Sequence, residues 1–257
     1  MQPVIQMIAS NVDLAALAML LIFAPLLVFF TLRAKSGRRF IMRTIPAYER
    51  LRQLVSHAAE TGKPIHVGMG SGRIGTKSTP EALMGLTAFD YVARHAARYN
   101  QEVLGTTGDA TILAAAQGTL QRARQEVGFP ELYKNREVRF YGPDPLAYAG
   151  GTRRALDRDK HLASVLIGQF GAEGLWIAES TNCQGIPQIG GTSAPSAAAL
   201  MYTSLDEIVI GEEVFAAGAY LHRPSHLGSL ATQDLIRIIT ILSIIAGVVL
   251  TSLGYWS

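Results

Sequence analysis

Residues 70–75, Gly70-Ser71-Gly72-Arg73-Ile74-Gly75, set three glycines at G-x-G-x-x-G spacing directly after the apolar run Ile65 to Gly68. In that position the spacing lets backbone N–H groups approach a pyrophosphate with no side chain in the way. The context departs from a dinucleotide site in two respects. The helix that should begin inside the motif is delayed to Thr79-Pro80-Glu81, read as a cap, a first-turn proline and an acidic first turn. The second strand ends in Gly105-Thr106-Thr107, with no acidic residue to hold a ribose. The same loop nearly makes a P-loop, because Gly70 and Gly75 have the right separation. Thr76 then intervenes before Lys77-Ser78 and slips the lysine away from the phosphates. No cofactor is expected, and a nucleotide is the alternative ligand.

Further polar residues fall where strands should end. Thr106 and Asp109 follow the second strand, Gly168 and Glu173 the fourth, and Glu179 the fifth. Gly190, Gly191, Thr192 and Ser193 follow the sixth, and Glu212 the seventh. With Gly70, Ser71, Gly72 and Gly75 they make the candidate ligand-binding set, since ligands of a doubly wound sheet sit beyond the carboxyl ends of its strands. Glycine is also the ordinary residue of a tight strand-to-helix turn, and Asp109 reads better as a helix cap. No catalytic residue is assigned. Cys183 has Asn182 and Gln184 beside it but no histidine, His222 and His226 are separated by Pro224, and no G-x-S-x-G elbow occurs. No Cys/His pattern has zinc-ligand spacing.

The elements that must position this edge alternate. Strands are expected at Ile65–Gly68, Glu102–Leu104, Glu137–Tyr141, Leu162–Ile167, Leu175–Ala178, Pro187–Ile189 and Glu207–Ile210. Helices are expected over Thr44–Thr61, Thr79–Tyr99, Asp109–Val127, Asp144–Asp157, Ala194–Tyr202 and Glu212–Leu221. Such alternation implies parallel pairing with right-handed crossovers, hence an α/β, doubly wound, mostly parallel Rossmann-like sheet.

Two apolar runs flank this body. Leu14 to Leu32 is uncharged, and Ile238 to Trp256 ends in an aromatic pair; each has the length of a bilayer crossing, about 20 residues. A cleaved signal peptide would carry positive charge before its apolar run. Here Arg33, Lys35, Arg38, Arg39 and Arg43 come after it. Cationic flanks stay inside, so the expected location is the inner (plasma) membrane, with both termini outside and the main domain cytoplasmic. The expected parts are a short tail (1–13), a span (14–32), a basic flank and connector helix (33–62), the α/β domain (63–234) and a second span (235–257).

The formal net charge of +3 and the pI near 9.1 come largely from that basic flank, so nucleic acid is not an expected partner. A single cysteine excludes an internal disulfide. The segments HVGMGSGRIG, IGQFGAEGLWIAE, PQIGGTSAP and IGEEVFAAGAYL resemble a bacterial family of membrane-anchored proteins catalogued only as a domain of unknown function. That resemblance runs from Thr44 to the second span. It implies an anchored α/β body and carries over no catalytic residue.

The resulting expectation is a membrane-anchored, non-catalytic structural or scaffold subunit of a larger membrane assembly, with room for a small polar ligand. Its expected partners are the lipid bilayer and further subunits, either copies of itself or other members of a complex. The alternative is an enzyme or sensor using the glycine edge, with Glu173, Glu179 and Glu212 as polar contacts.

Overall fold

The structure, a computed structural model, describes residues 14–35, 44–221 and 227–252. Arg38, Arg39, Arg43, His222, His226, Tyr255 and Trp256 lie outside the described residues. The chain forms two compact units, Thr44–His222 and the two flanks together.

The larger unit is built on a six-stranded, all-parallel sheet. Its strands are β1 (Ile65–Gly70), β2 (Val103–Thr107), β3 (Val138–Phe140), β4 (Ala163–Gln169), β5 (Gln188–Thr192) and β6 (Glu207–Ile210). Their order is β3-β2-β1-β4-β5-β6, that of a doubly wound sheet whose direction of winding reverses between β1 and β4. Both of these strands are buried along nearly their whole length. Helices cover both faces, which is why the two strands read as near-continuous apolar runs.

The helices of this unit are α2 (Pro46–Thr61), α3 (Thr79–Arg98), α4 (Ala110–Glu126), α5 (Pro145–Arg158), α6 (Glu173–Cys183), α7 (Pro195–Met201) and α8 (Ala217–Leu221). On one face α3 packs on β1 and β4. Its Gly85 lies so close to the sheet that a Cβ there would be 2.6 Å from the Ile167 carbonyl oxygen. Phe89, one turn on, is fully buried over Gly105, a burial worth about 1.5–3 kcal/mol. On the other face Tyr148, Ala149 and Leu156 of α5 join Leu166, Phe170, Ile177, Ala178 and Met201 in one apolar cluster. The helix read as a connector, α2, packs on β5 and β6, burying Tyr48, Leu51, Leu54, Val55 and Ala58. Tyr48 stacks on Tyr220 at 5.3 Å between centroids, so the two ends of this unit, at α2 and α8, lie side by side.

Two expected elements differ. Leu175–Ala178 is not a strand but the middle of α6. An apolar run of four residues fits either state, and here Gly174, Ile177, Ala178 and Thr181 are buried at helical spacing. Glu212–Leu221 is a 3-10 segment, Gly211–Ala216, followed by the short α8.

The flanking unit contains α1 (Leu14–Lys35), with Pro25 inside it, and α9 (Leu227–Ser252), which pack on each other. Leu20, Leu21, Val28 and Phe29 of α1 and Ile238, Leu242, Ile244 and Val248 of α9 are exposed. Among the described residues no helix is long and apolar enough to cross a membrane.

Candidate functional site

The site to be tested is the carboxyl edge between β1 and β4, where a doubly wound sheet ordinarily opens a crevice. Here the two strand ends stay in contact. Gly70 has φ +76°, and a Cβ on it would stand 2.2 Å from the Gln169 carbonyl oxygen. Gly168, at φ +152°, would place a Cβ 2.3 Å from the Met69 carbonyl oxygen. The register shifts between Gly68 and Gly70, and Ser71 N–H then donates to Gln169 O at 3.1 Å. On the other side Gly108 N–H donates to Gly70 O at 3.0 Å. Backbone-to-backbone bonds therefore hold the turns after β1, β2 and β4 against one another at this edge.

The glycine loop is also satisfied from within. Thr79 is the first residue of α3 and Ser78 holds the cap position, one residue earlier than the sequence suggests. Arg73 N–H donates to Ser78 Oγ at 3.0 Å. Gly75 and Thr76 N–H donate to Thr79 Oγ1 at 2.9 and 3.1 Å, and Ser78 N–H to Thr76 Oγ1 at 3.3 Å. Hydroxyls therefore occupy N–H groups that would cradle phosphates. Gly72 is closed in as well, since a Cβ there would lie 3.1 Å from Gln169 Cβ and 3.2 Å from Ala82 Cβ. Gly75, at φ +86°, faces open space.

Of the carboxylates, Glu173 does reach this place. It is buried, and its Oε1 accepts from Gly171 N–H at 2.9 Å and from Ser71 Oγ at 3.4 Å. Ser193 Oγ donates to Glu81 Oε1 at 2.5 Å, and Glu81 Oε2 is buried without a partner among the described residues. The remaining predicted residues go elsewhere. Asp109 caps α4, accepting from Thr111 and Ile112 N–H. Glu179 sits within α6 rather than at a strand end, and Ser204 Oγ donates to it at 2.7 Å. Gly190 and Gly191 lie inside β5, where a Cβ on Gly190 would meet Leu205 Cδ1 at 2.1 Å. Thr192 ends β5, with Ala194 N–H 3.4 Å from its hydroxyl. Glu212 stands in the 3-10 segment after β6.

Thr106 belongs to a buried chain that sequence reasoning missed. His66 of β1 has Nδ1 2.9 Å from Ser164 Oγ and Nε2 2.9 Å from Thr106 Oγ1. The Tyr148 hydroxyl lies 3.3 Å from Thr106 Oγ1 and accepts from Gly70 N–H at 3.2 Å. All four side chains are fully buried. Burial, then His161 and Arg139, push the His66 imidazole well below its ordinary pKa, so it is neutral, with one nitrogen donating and the other accepting. Burial pushes the Tyr148 phenol up to about 12. Among the described residues no carboxylate hydrogen-bonds to this chain, and Ser164 is fully buried, whereas a nucleophile needs an oriented base and access to substrate. It ties β1, β2 and β4 together within the sheet. The available signal was a histidine in an otherwise apolar strand, two residues before Gly68.

A family model, Domain of unknown function (DUF6754), matches residues 6–256. No curated protein and no solved structure matches the chain.

Proposed function

We propose, for a chain that belongs to the DUF6754 family, a membrane-anchored, non-catalytic scaffold whose α/β body packs with further subunits. The observation that carries this reading is the turn after β1, where the N–H groups of Arg73, Gly75 and Thr76 are taken by the Ser78 and Thr79 hydroxyls. A Rossmann-like enzyme presents such N–H groups to the phosphates of its cofactor.

The anchor rests on α1 and α9. Its support is in the sequence, where Leu14 to Leu32 is an uncharged run of the length of a bilayer crossing, about 20 residues. Exposed leucine, phenylalanine and isoleucine side chains on both helices suit a lipid surround. The basic run from Arg33 to Arg43 supports a body on the cytoplasmic side of the inner membrane, since cationic flanks stay inside. On the body, Trp176 of α6 and Leu200 of α7 are 46% and 41% exposed on adjacent helices, a surface that a second subunit would cover.

Native mass spectrometry of the full chain in detergent should give a defined oligomer, and a monomer alone would overturn the scaffold reading. Cysteines introduced at Gln2 and Ser257 should label from outside intact cells and one at Lys134 should not; labelling confined to Lys134 would reverse the orientation. The enzyme or sensor reading draws support from Glu81, whose free carboxylate oxygen stands beside Ser193. A nucleotide or carboxylate that raises the melting temperature in wild type but not in Ser193→Ala would favour it.

A further inference from the structure

The opposite, amino edge of the sheet holds a cavity of about 500 Å³, within the range of small-molecule sites. It opens where β1 to β4 begin. Pro64 precedes β1, Val103 starts β2, Glu137 precedes β3 and His161 precedes β4, with Arg158 at the end of α5. None of these residues belongs to the glycine edge.

Two observations mark it as a binding site. The first is a surplus of positive charge. Glu102 is shared by Lys134 at 2.5 Å and Arg136 at 3.5 Å, and Asp159 by Arg139 at 3.1 Å and Arg158 at 3.2 Å. Glu137 is taken from the interior by Arg124 at 3.4 Å. With the exposed Lys160, four lining cations, Arg136, Arg139, Arg158 and Lys160, face three lining carboxylates, of which Glu137 is already paired with Arg124. The second is unused polar capacity in the wall. His161 is 7% exposed, and its Nδ1, which can donate, is buried without a hydrogen-bond partner among the described residues. Buried polar groups of this kind are ordinarily satisfied.

We propose that this cavity is an anion site for a small molecule bearing a phosphate group. Arg136, Arg139 and Arg158 supply the guanidinium forks, whose planar donors match phosphate oxygens two at a time. Lys160 adds a point charge at the mouth. Glu102 and Asp159 hold the arginines in place and give up part of that pairing to the ligand. The phosphate can come from a soluble compound or from a lipid headgroup, and the same chemistry serves both.

The test is a calorimetric titration of the full chain, in non-ionic detergent at low salt, with pyrophosphate. Saturable binding is expected, weakened at least about tenfold by the double substitution Arg158→Glu and Lys160→Glu, as charge reversal at a salt-sensitive site requires. Arg122→Glu, an exposed position outside the lining, should weaken it less than about twofold at the same ionic strength. Lys160→Gln is the milder second variant, for use if the double variant does not fold, and should weaken binding measurably. Phosphatidylglycerol added to the micelles separates the sources. Competition with pyrophosphate identifies a headgroup and its absence a soluble ligand, and either supports the site. No saturable binding of either probe, or equal weakening by Arg122→Glu, overturns it. The oligomeric mass is a separate readout, so loss of the scaffold reading leaves this result intact.

Discussion

The backbone N–H of Ser71 donates to the carbonyl of Gln169 at 3.1 Å, so β1 and β4 remain joined one residue beyond the end of β1. The glycines around this bond therefore serve the approach of one backbone to another. That assignment separates glycines that look alike in sequence.

Gly70 and Gly75 both have positive φ, but only Gly70 has a neighbour where a Cβ would go, at 2.2 Å. Gly75→Ala should cost about 1 kcal/mol, the strain of the left-handed conformation alone. Gly70→Ala should cost about 3 kcal/mol or more, because backbone must move as well. Urea unfolding midpoints read the difference, and equal losses would mean that the strand ends are not locked.

The buried His66 makes stability depend on pH. Its folded-state pKa is depressed by burial, so the unfolded chain binds the proton more readily. The stabilisation is present above the unfolded value near 6.5 and is lost as pH falls below it. The slope approaches about 1.4 kcal/mol per pH unit for one fully responding group. His66→Gln should flatten the slope between pH 6.5 and the onset of carboxylate titration. A residual slope from His161, also depressed by burial, should persist. An unchanged slope in urea titrations would show that His66 does not govern it.

Arg124 and Glu137 form a buried pair at 3.4 Å, and Glu137 Oε2 also accepts from Val103 N–H at 3.0 Å. Arg124→Met should destabilise by about 3–5 kcal/mol, since it leaves a buried carboxylate uncompensated. Adding Glu137→Gln keeps an acceptor for Val103 and removes the charge. The double variant should recover about 1–3 kcal/mol of the loss. Additive losses in the double-mutant cycle would show that the two side chains are not coupled.

The alternation of short apolar runs, glycine turns and capped helices was legible in the sequence because each of those signals is local. So was the late start of α3, since Pro80 can sit only in a first turn. The four apolar residues at Leu175–Ala178 carry no local signal that separates strand from helix. Packing of Ile177 and Ala178 against Tyr148 and Leu166 decided it and moved Glu179 away from the sheet edge. The close contact of the β1 and β4 ends depends on the φ of Gly70 and Gly168 and on a register shift between strands distant in sequence. The His66 chain depends on the alignment of three strands, with Thr106 and Ser164 lying 40 and 98 residues away. The amino-edge cavity gathers charges from the starts of four strands. Parallel register is set by long-range pairing, so only the tertiary structure could place these groups together.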